Sequence, residues 1–290
     1  MIKPKVSGVY HISLDGGKTF THTSKNLILD NYYNKTAFTS NMTLVIGSGS
    51  TPPELTNTSL EAQFGVSSNE VGFESTPDTV VFADRFEITY SRTFDLGTGY
   101  VNTIRELGVI NQTLISRALF RAVDTSPSYV VLTATDHVVI RYSLIYTISR
   151  TPVTFNLIIN GVSAIANVYA VNGEFGGWGT IQPGKVVSFA SFGIATAGTW
   201  TLDANDNVIG PNITGGISAV TNINGISNIT IVGTVNANTS QWNQTFQQIL
   251  VTSSGANYIT APILINLDVP ITKTANDILN ISVSANQAAT

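Results

Sequence analysis

The chain has 290 residues, of which 43% are apolar and only 11% charged, with a net charge of −4 and a mean hydropathy of +0.19. That much apolar material builds a sizeable core, so compositional disorder is excluded. Binding nucleic acid through its phosphates is excluded too, since no Lys/Arg cluster exists. Zero cysteines exclude thiol catalysis, thiolate metal sites and disulfides. Solubility falls to Asn, Thr and Ser. Strand edges so poor in charge need hiding, and a homo-oligomer, trimer or hexamer, is expected. The opening MIKPKVSGVYHISLDGG has no apolar run of the secretory kind. No run approaches the roughly 18 residues a spanning helix needs, so no membrane span is expected.

Strand signals dominate from the start. Val9 to Thr23 reads as a hairpin in which Tyr10, Ile12 and Leu14 alternate toward a core and Asp15-Gly16-Gly17-Lys18 turns the chain. Such a turn sets His11 opposite His22, about 5 Å away. A polar cross-strand pair is favoured there over a shared metal, because His137 is remote. Ser13 to Phe20 also resembles the Asp-box of sialidase-type propellers, Ser-x-Asp-x-Gly-x-Thr-aromatic, whose Asp ties turn amides. A propeller needs several copies, so the single one here predicts only a well-made turn.

Asn26–Phe38 and Thr58–Phe64 are expected as short helices, the second capped by Thr58 or Ser59 with Glu61 in its first turn. Phe86, Ile88 and Tyr90 alternate as a strand, and so do Val138, Ile140, Tyr142 and Leu144. Arg117 and Arg121 share one face of a strand over Leu114–Val123, with Glu106 and Asp124 nearby in sequence. A structural ion pair under a loop is preferred there to an anion site. Asp136 and His137 are adjacent and point to opposite faces, and there is no Gly-x-Ser-x-Gly elbow, so no Ser-His-Asp set is expected.

An ordered string of motifs runs through this region. Asn26-Leu27-Ile28 comes first, then Leu44 to Leu60 as LVIGSGSTPPELTNTSL, with Ser59 where Thr is usual before Leu60. Glu106-Leu107-Gly108-Val109 and Ser116-Arg117-Ala118-Leu119 follow. In this order the string resembles the N-terminal module of structural proteins in the tails of tailed bacteriophages: tail fibres, tail-tip proteins and fibre-attachment proteins. The resemblance covers about residues 25–148. It implies a virion location, no cofactor, and other phage tail proteins as partners.

Charge falls away after Arg150-Thr151-Pro152. Residues 1–150 hold 12 of the 14 Lys+Arg and 13 of the 18 Asp+Glu. That shift, with Pro152 holding its predecessor extended, marks the expected boundary between a docking domain (1–150) and a charge-poor domain (151–290) for oligomerisation or distal contacts. Phe155, Leu157 and Ile159, then Ile229, Ile231 and Gly233, keep a strand period, and Asn-Gly pairs at 160–161, 172–173 and 224–225 signal turns. An offset of 141 residues aligns Ile88-Thr89 with Ile229-Thr230 and Thr133-Ala134-x-Asp136 with Thr274-Ala275-x-Asp277, as an internal duplication would. Phe175 and Trp178 sit in the loop NGEFGGWG as candidate interface or glycan-contact residues, whereas Trp200 and Trp242 are expected in the core.

The expected fold is all-β, antiparallel β-sandwich domains of jelly-roll or immunoglobulin-like type, two of them related by duplication, with one or two short helices. The expected function is non-enzymatic: a virion structural protein acting by assembly. The alternative is a receptor-binding module for host surface glycans, and a glycan-cleaving tail enzyme stands last.

Overall fold

The computed structural model describes residues 5–33, 41–73, 78–120, 129–159, 162–171, 189–195, 199–210, 213–223, 228–235, 242–253, 263–286 and 288–289. It is almost wholly antiparallel β, as the sequence patterning implies. The first sheet is built from β1 (Lys5–Ser13), β2 (His22–Ile28), β3 (Thr43–Gly47), β4 (Gln63–Ser67), β5 (Glu70–Phe73), β6 (Asp78–Val81), β7 (Arg85–Gly97), β9 (Glu106–Asn111), β10 (Thr113–Leu119) and β12 (Val138–Ser149). Between these, β8 (Thr103–Ile104) and β11 (Val130–Val131) form a small ladder of their own.

Neighbours in the first sheet run β4-β3-β9-β10-β2-β1-β12-β7-β5, and β6 also pairs β7. β2 changes partners along its length: residues 22–26 pair β1, while Leu27 and Ile28 pair β10. That switch folds the sheet over one core. The two ends of the path, β4 and β5, are joined in the chain by residues 68–69 alone. Ser67 Oγ donates to Asp95 O (2.6 Å) and Asp95 N to Asn69 O (2.9 Å), so the ring nearly closes.

Period-two alternation builds the core. Tyr10, Ile12, Phe86, Ile88, Tyr90, Ile140, Tyr142 and Leu144 are all fully buried, each worth about 1.5–3 kcal/mol. The buried hydroxyls of Tyr10, Tyr32, Tyr142 and Tyr146 find partners: Tyr10 Oη bonds Ser116 Oγ (2.5 Å), Tyr32 Oη bonds Tyr146 Oη, and Asn26 Nδ2 donates to Tyr142 Oη (3.4 Å). Burial raises the Tyr10 and Tyr146 phenols well above their usual range and pushes Tyr142 up to about 12.

Two helix expectations change. In the first, β2 runs on to Ile28, and only Asp30–Tyr33 (α1) is helical before residues outside the described set. The second does not form: residues 58–62 are irregular, with bends at Ser59, Glu61 and Ala62, and β4 takes over at Gln63, because Glu61 serves a neighbouring loop instead of a helix start. The hairpin register also differs. His11 pairs Thr23, and His22 pairs Ile12, so the two imidazoles lie on opposite faces and cannot share a metal. The loop between the strands spans eight residues, 14–21, which adds one residue to the predicted register.

The second sheet comprises β13 (Val153–Ile159), β14 (Val162–Ala170), β15 (Phe189–Ala195), β18 (Ile213–Ile223), β19 (Asn228–Val235), β20 (Thr245–Ser253), β21 (Ile263–Thr272) and β22 (Leu279–Asn286), in the order β13-β14-β21-β20-β15-β18-β19-β22. A short hairpin, β16 (Thr201–Leu202) with β17 (Val208–Ile209), lies in the connection between β15 and β18. β23 (Ala288–Ala289) returns to pair in parallel with Lys5 and Val6. The Asn-Gly pairs at 160–161, 172–173 and 224–225 lie outside the described residues. Trp200 and Trp242 are buried.

Numbering each sheet's main strands one to eight in chain order, with β4–β6 together as the first sheet's fourth, both sheets have the neighbour order 1-2-7-6-3-4-5-8. The aligned turns match as well. Thr133 N and Oγ1 donate to Asp136 Oδ2 at 2.7 and 3.0 Å, and Thr274 N and Oγ1 donate to Asp277 Oδ2, both at 2.7 Å. Arg150, at the change of sheet, links the two halves. Its Nη1 donates to Phe82 O, its Nε to Asp206 Oδ2 (both 2.5 Å) and its Nη2 to Ala204 O (3.0 Å).

Candidate functional site

The pieces of the motif string, separated in sequence, meet around one buried ion pair. Glu106 opens β9 and Arg117 lies on the adjacent β10, their side chains 0% and 3% exposed, with Arg117 Nη2 2.8 Å from Glu106 Oε2. Two charges so placed are stable only if every remaining polar atom is satisfied. Glu106 Oε2 also accepts Arg117 Nε and Glu61 N, each at 3.1 Å, while Oε1 accepts Ala62 N (2.8 Å) and Gly49 N (3.1 Å). The guanidinium also donates from Nη1 to Asn57 Oδ1 (2.8 Å) and from Nη2 to Thr51 O (3.1 Å).

Glycine spacing makes this closeness possible. A Cβ on Gly47 would lie 2.5 Å from Glu106 Oε1, and one on Gly49 would overlap both Glu106 and Glu61. Gly108 leaves room for Leu60, which packs on Val45, Leu114 and Leu29 over the outer face of the sheet. Glu61, itself exposed, accepts Ser50 N and Thr51 N, both at 2.7 Å, and those bonds hold its carboxyl below the usual range. The arrangement is a clamp: residues 48–62 are tied down as a lid on β3, β9 and β10. A carboxylate has about four lone-pair sites, and with five donors Glu106 keeps no capacity for a ligand, while four of the five N–H groups of Arg117 are spent on the clamp.

A second polar cluster joins the Asp-box loop to the start of β12. Gly16 N donates to His137 O and His137 N to Leu14 O, both at 3.0 Å. Ser13 Oγ donates to Asp15 Oδ1 (2.6 Å) and accepts Gly17 N (2.9 Å), and Thr19 N donates to Asp15 Oδ1 (2.9 Å). These bonds, Ser13 first, lower the Asp15 carboxyl to about 2. Gly16 and Gly17 adopt φ of 75° and 86°, which their lack of Cβ allows. His137 Nε2 bonds Asp95 Oδ1 (2.8 Å), a carboxylate partner that sequence reading missed because 42 residues separate them. Buried Ser13 bonds to Asp15, not to His137, so the cluster ties a loop without forming a nucleophile–base pair.

Of the residues singled out in sequence, Glu106 and Arg117 are brought together, while Arg121, Asp124, Phe175 and Trp178 lie outside the described residues. Asn57 was missed as the guanidinium's neutral partner, and nothing in its sequence context signals that role. Among the described residues no group of three or more His, Asp or Glu could hold a metal, and no helix is long and apolar enough to cross a membrane. Comparison with protein-family models, with curated proteins and with solved structures finds no match to this chain.

Proposed function

We propose that the chain is a non-enzymatic structural protein of a tailed-phage virion, a tail, tail-fibre or fibre-attachment subunit that acts by assembly. In this reading residues 1–150 dock onto the particle, and residues 151–290 pack on copies of the chain or reach outward. The observation that carries it is the ordered motif string and its convergence on Glu106 and Arg117. Residues that carry the resemblance to tail proteins are the ones spent on holding a surface lid in place, as an architectural module requires. The charge-poor second half adds support, since interfaces with few charges to desolvate favour large permanent contacts.

An antibody against the chain, applied to particles of the phage or prophage that encodes it, labels the tail if the reading is right. Label absent from particles and confined to soluble protein contradicts it. Adhesion of the purified chain to host cells, abolished by competing polysaccharide, would instead favour the glycan-binding reading that rests on Phe175 and Trp178.

A further inference from the structure

In the first sheet the first and eighth strands, β1 and β12, pair antiparallel from Lys5↔Thr147 to Ser13↔Val139 and seal the strand ring. The same two positions in the second sheet belong to β13 and β22, which stand at opposite ends of the strand order. β13 is paired along one side by β14, and β22 along one side by β19. Each therefore turns a row of backbone N–H and C=O groups toward a side where, among the described residues, the sheet supplies no further strand.

Proteins usually guard such edges with lysine, proline or an inward-pointing charge. β13 reads VTFNLII and β22 reads LNISVSAN, and neither contains a charge or a proline. Both edges are thus competent for strand addition. The first sheet shows what fits: in this topology a first strand pairs with an eighth strand, antiparallel. Every copy of the chain carries one of each on the same sheet, open among the described residues.

We propose that β13 of one copy pairs with β22 of the next, so that copies join head to tail through their second sheets. The occupant of each edge is a second copy of this chain. Such a contact is heterologous, and it closes into a ring or extends along an axis according to the rotation between neighbours. The inference rests on the assembly reading above and adds the surface through which assembly occurs.

The chain has no native cysteine, so introduced thiols report unambiguously. Two single variants, Asn156→Cys in β13 and Ser282→Cys in β22, are mixed and treated with a short bis-maleimide, and their mass is measured in parallel by light scattering. The expected result is an oligomer in which mixed β13–β22 cross-links far exceed those formed by either variant alone. Asn156→Lys, which places a charge on the edge strand, is expected to shift the mass to monomer with the strand spectrum retained. An oligomer that yields no mixed cross-link overturns the seam and leaves the assembly reading standing. Cross-links mainly between like positions mean a two-fold contact and overturn the head-to-tail arrangement. A monomer at every concentration overturns both. If Asn156→Lys fails to fold, the cross-linking result alone decides.

Discussion

Two loops in corresponding places, one in each half, are held by different chemistry. In both halves described residues of the connection between the third and fourth strands pack on the sheet. In the first half Leu60 from that connection packs on Val45 and Leu114. In the second half Trp200 packs on Val171, Leu250 and Leu264. Each connection is captured by a polar side chain near the start of the sixth strand. Glu106 gathers the amides of Gly49, Glu61 and Ala62 and needs Arg117 to balance its charge. Gln248 does the same work without charge, its Oε1 accepting Trp200 N (2.6 Å) and its Nε2 donating to Trp200 O (2.9 Å). The comparison separates topology, which the halves share, from electrostatics, which they do not. A lid can be held by an ion pair or by one amide, and the second half uses the option that leaves it nearly free of charge.

The sharpest way to break this contrast is to remove one partner of the ion pair. Glu106→Ala or Arg117→Ala strands the other charge under the lid, so chemical denaturation should report a loss of about 3–5 kcal/mol. Gly49→Ala forces a Cβ into the space used by Glu106 and Glu61, and about 1–3 kcal/mol is expected from that overpacking. Gln248→Ala removes three neutral bonds, two to Trp200 and one to Asn266 Oδ1 (2.9 Å), and should cost about 1–2 kcal/mol, clearly less than Glu106→Ala. If Gln248→Ala costs as much as Glu106→Ala, the distinction between charged and neutral clamps is lost.

The smallest expected effect is the pH dependence that the Asp15 turn contributes in the first half. Asp15 titrates near 2 in the folded chain, below the ordinary carboxylate value of about 4. A depressed pKa contributes stability that is complete above about 4 and lost as pH falls toward 2. Thermal melts of the unaltered chain and of Asp15→Asn should therefore differ above that window and converge within it. A difference that persists at the acid end would mean that other groups set the loop.

Much of the fold was legible because one buried face per strand writes a period of two. Tyr10 and Ile12, Phe86 to Tyr90, and Val138 to Leu144 each read correctly for that reason. Register was less legible: a tight Asp-Gly-Gly-Lys turn and an eight-residue Asp-box loop look alike in sequence, and the one-residue difference moved His22 to the other face. Thr58–Phe64 carried helix-start residues, yet its Glu61 was claimed by amides ten and eleven positions earlier, a contact local sequence cannot show. At the clamp, Glu106, Arg117 and the glycine pair were visible as motif pieces. Their convergence was not, because it depends on β9 and β10 pairing beneath a distant loop. The aligned Thr-x-x-Asp turns pointed to the strand order that the halves share, whereas the unpaired edges of β13 and β22 among the described residues depend on that order alone.

The seam is the claim that separates the halves most, and backbone amide exchange tests it directly. Exchange is followed along β1, β12, β13 and β22 at concentrations above and below self-association. The account predicts that β1 and β12 stay protected throughout. It predicts that β13 and β22 are protected in the oligomer and lose that protection on dilution to monomer. Strong protection of β13 and β22 in the monomer would mean that the second ring closes within one chain, and would contradict the account.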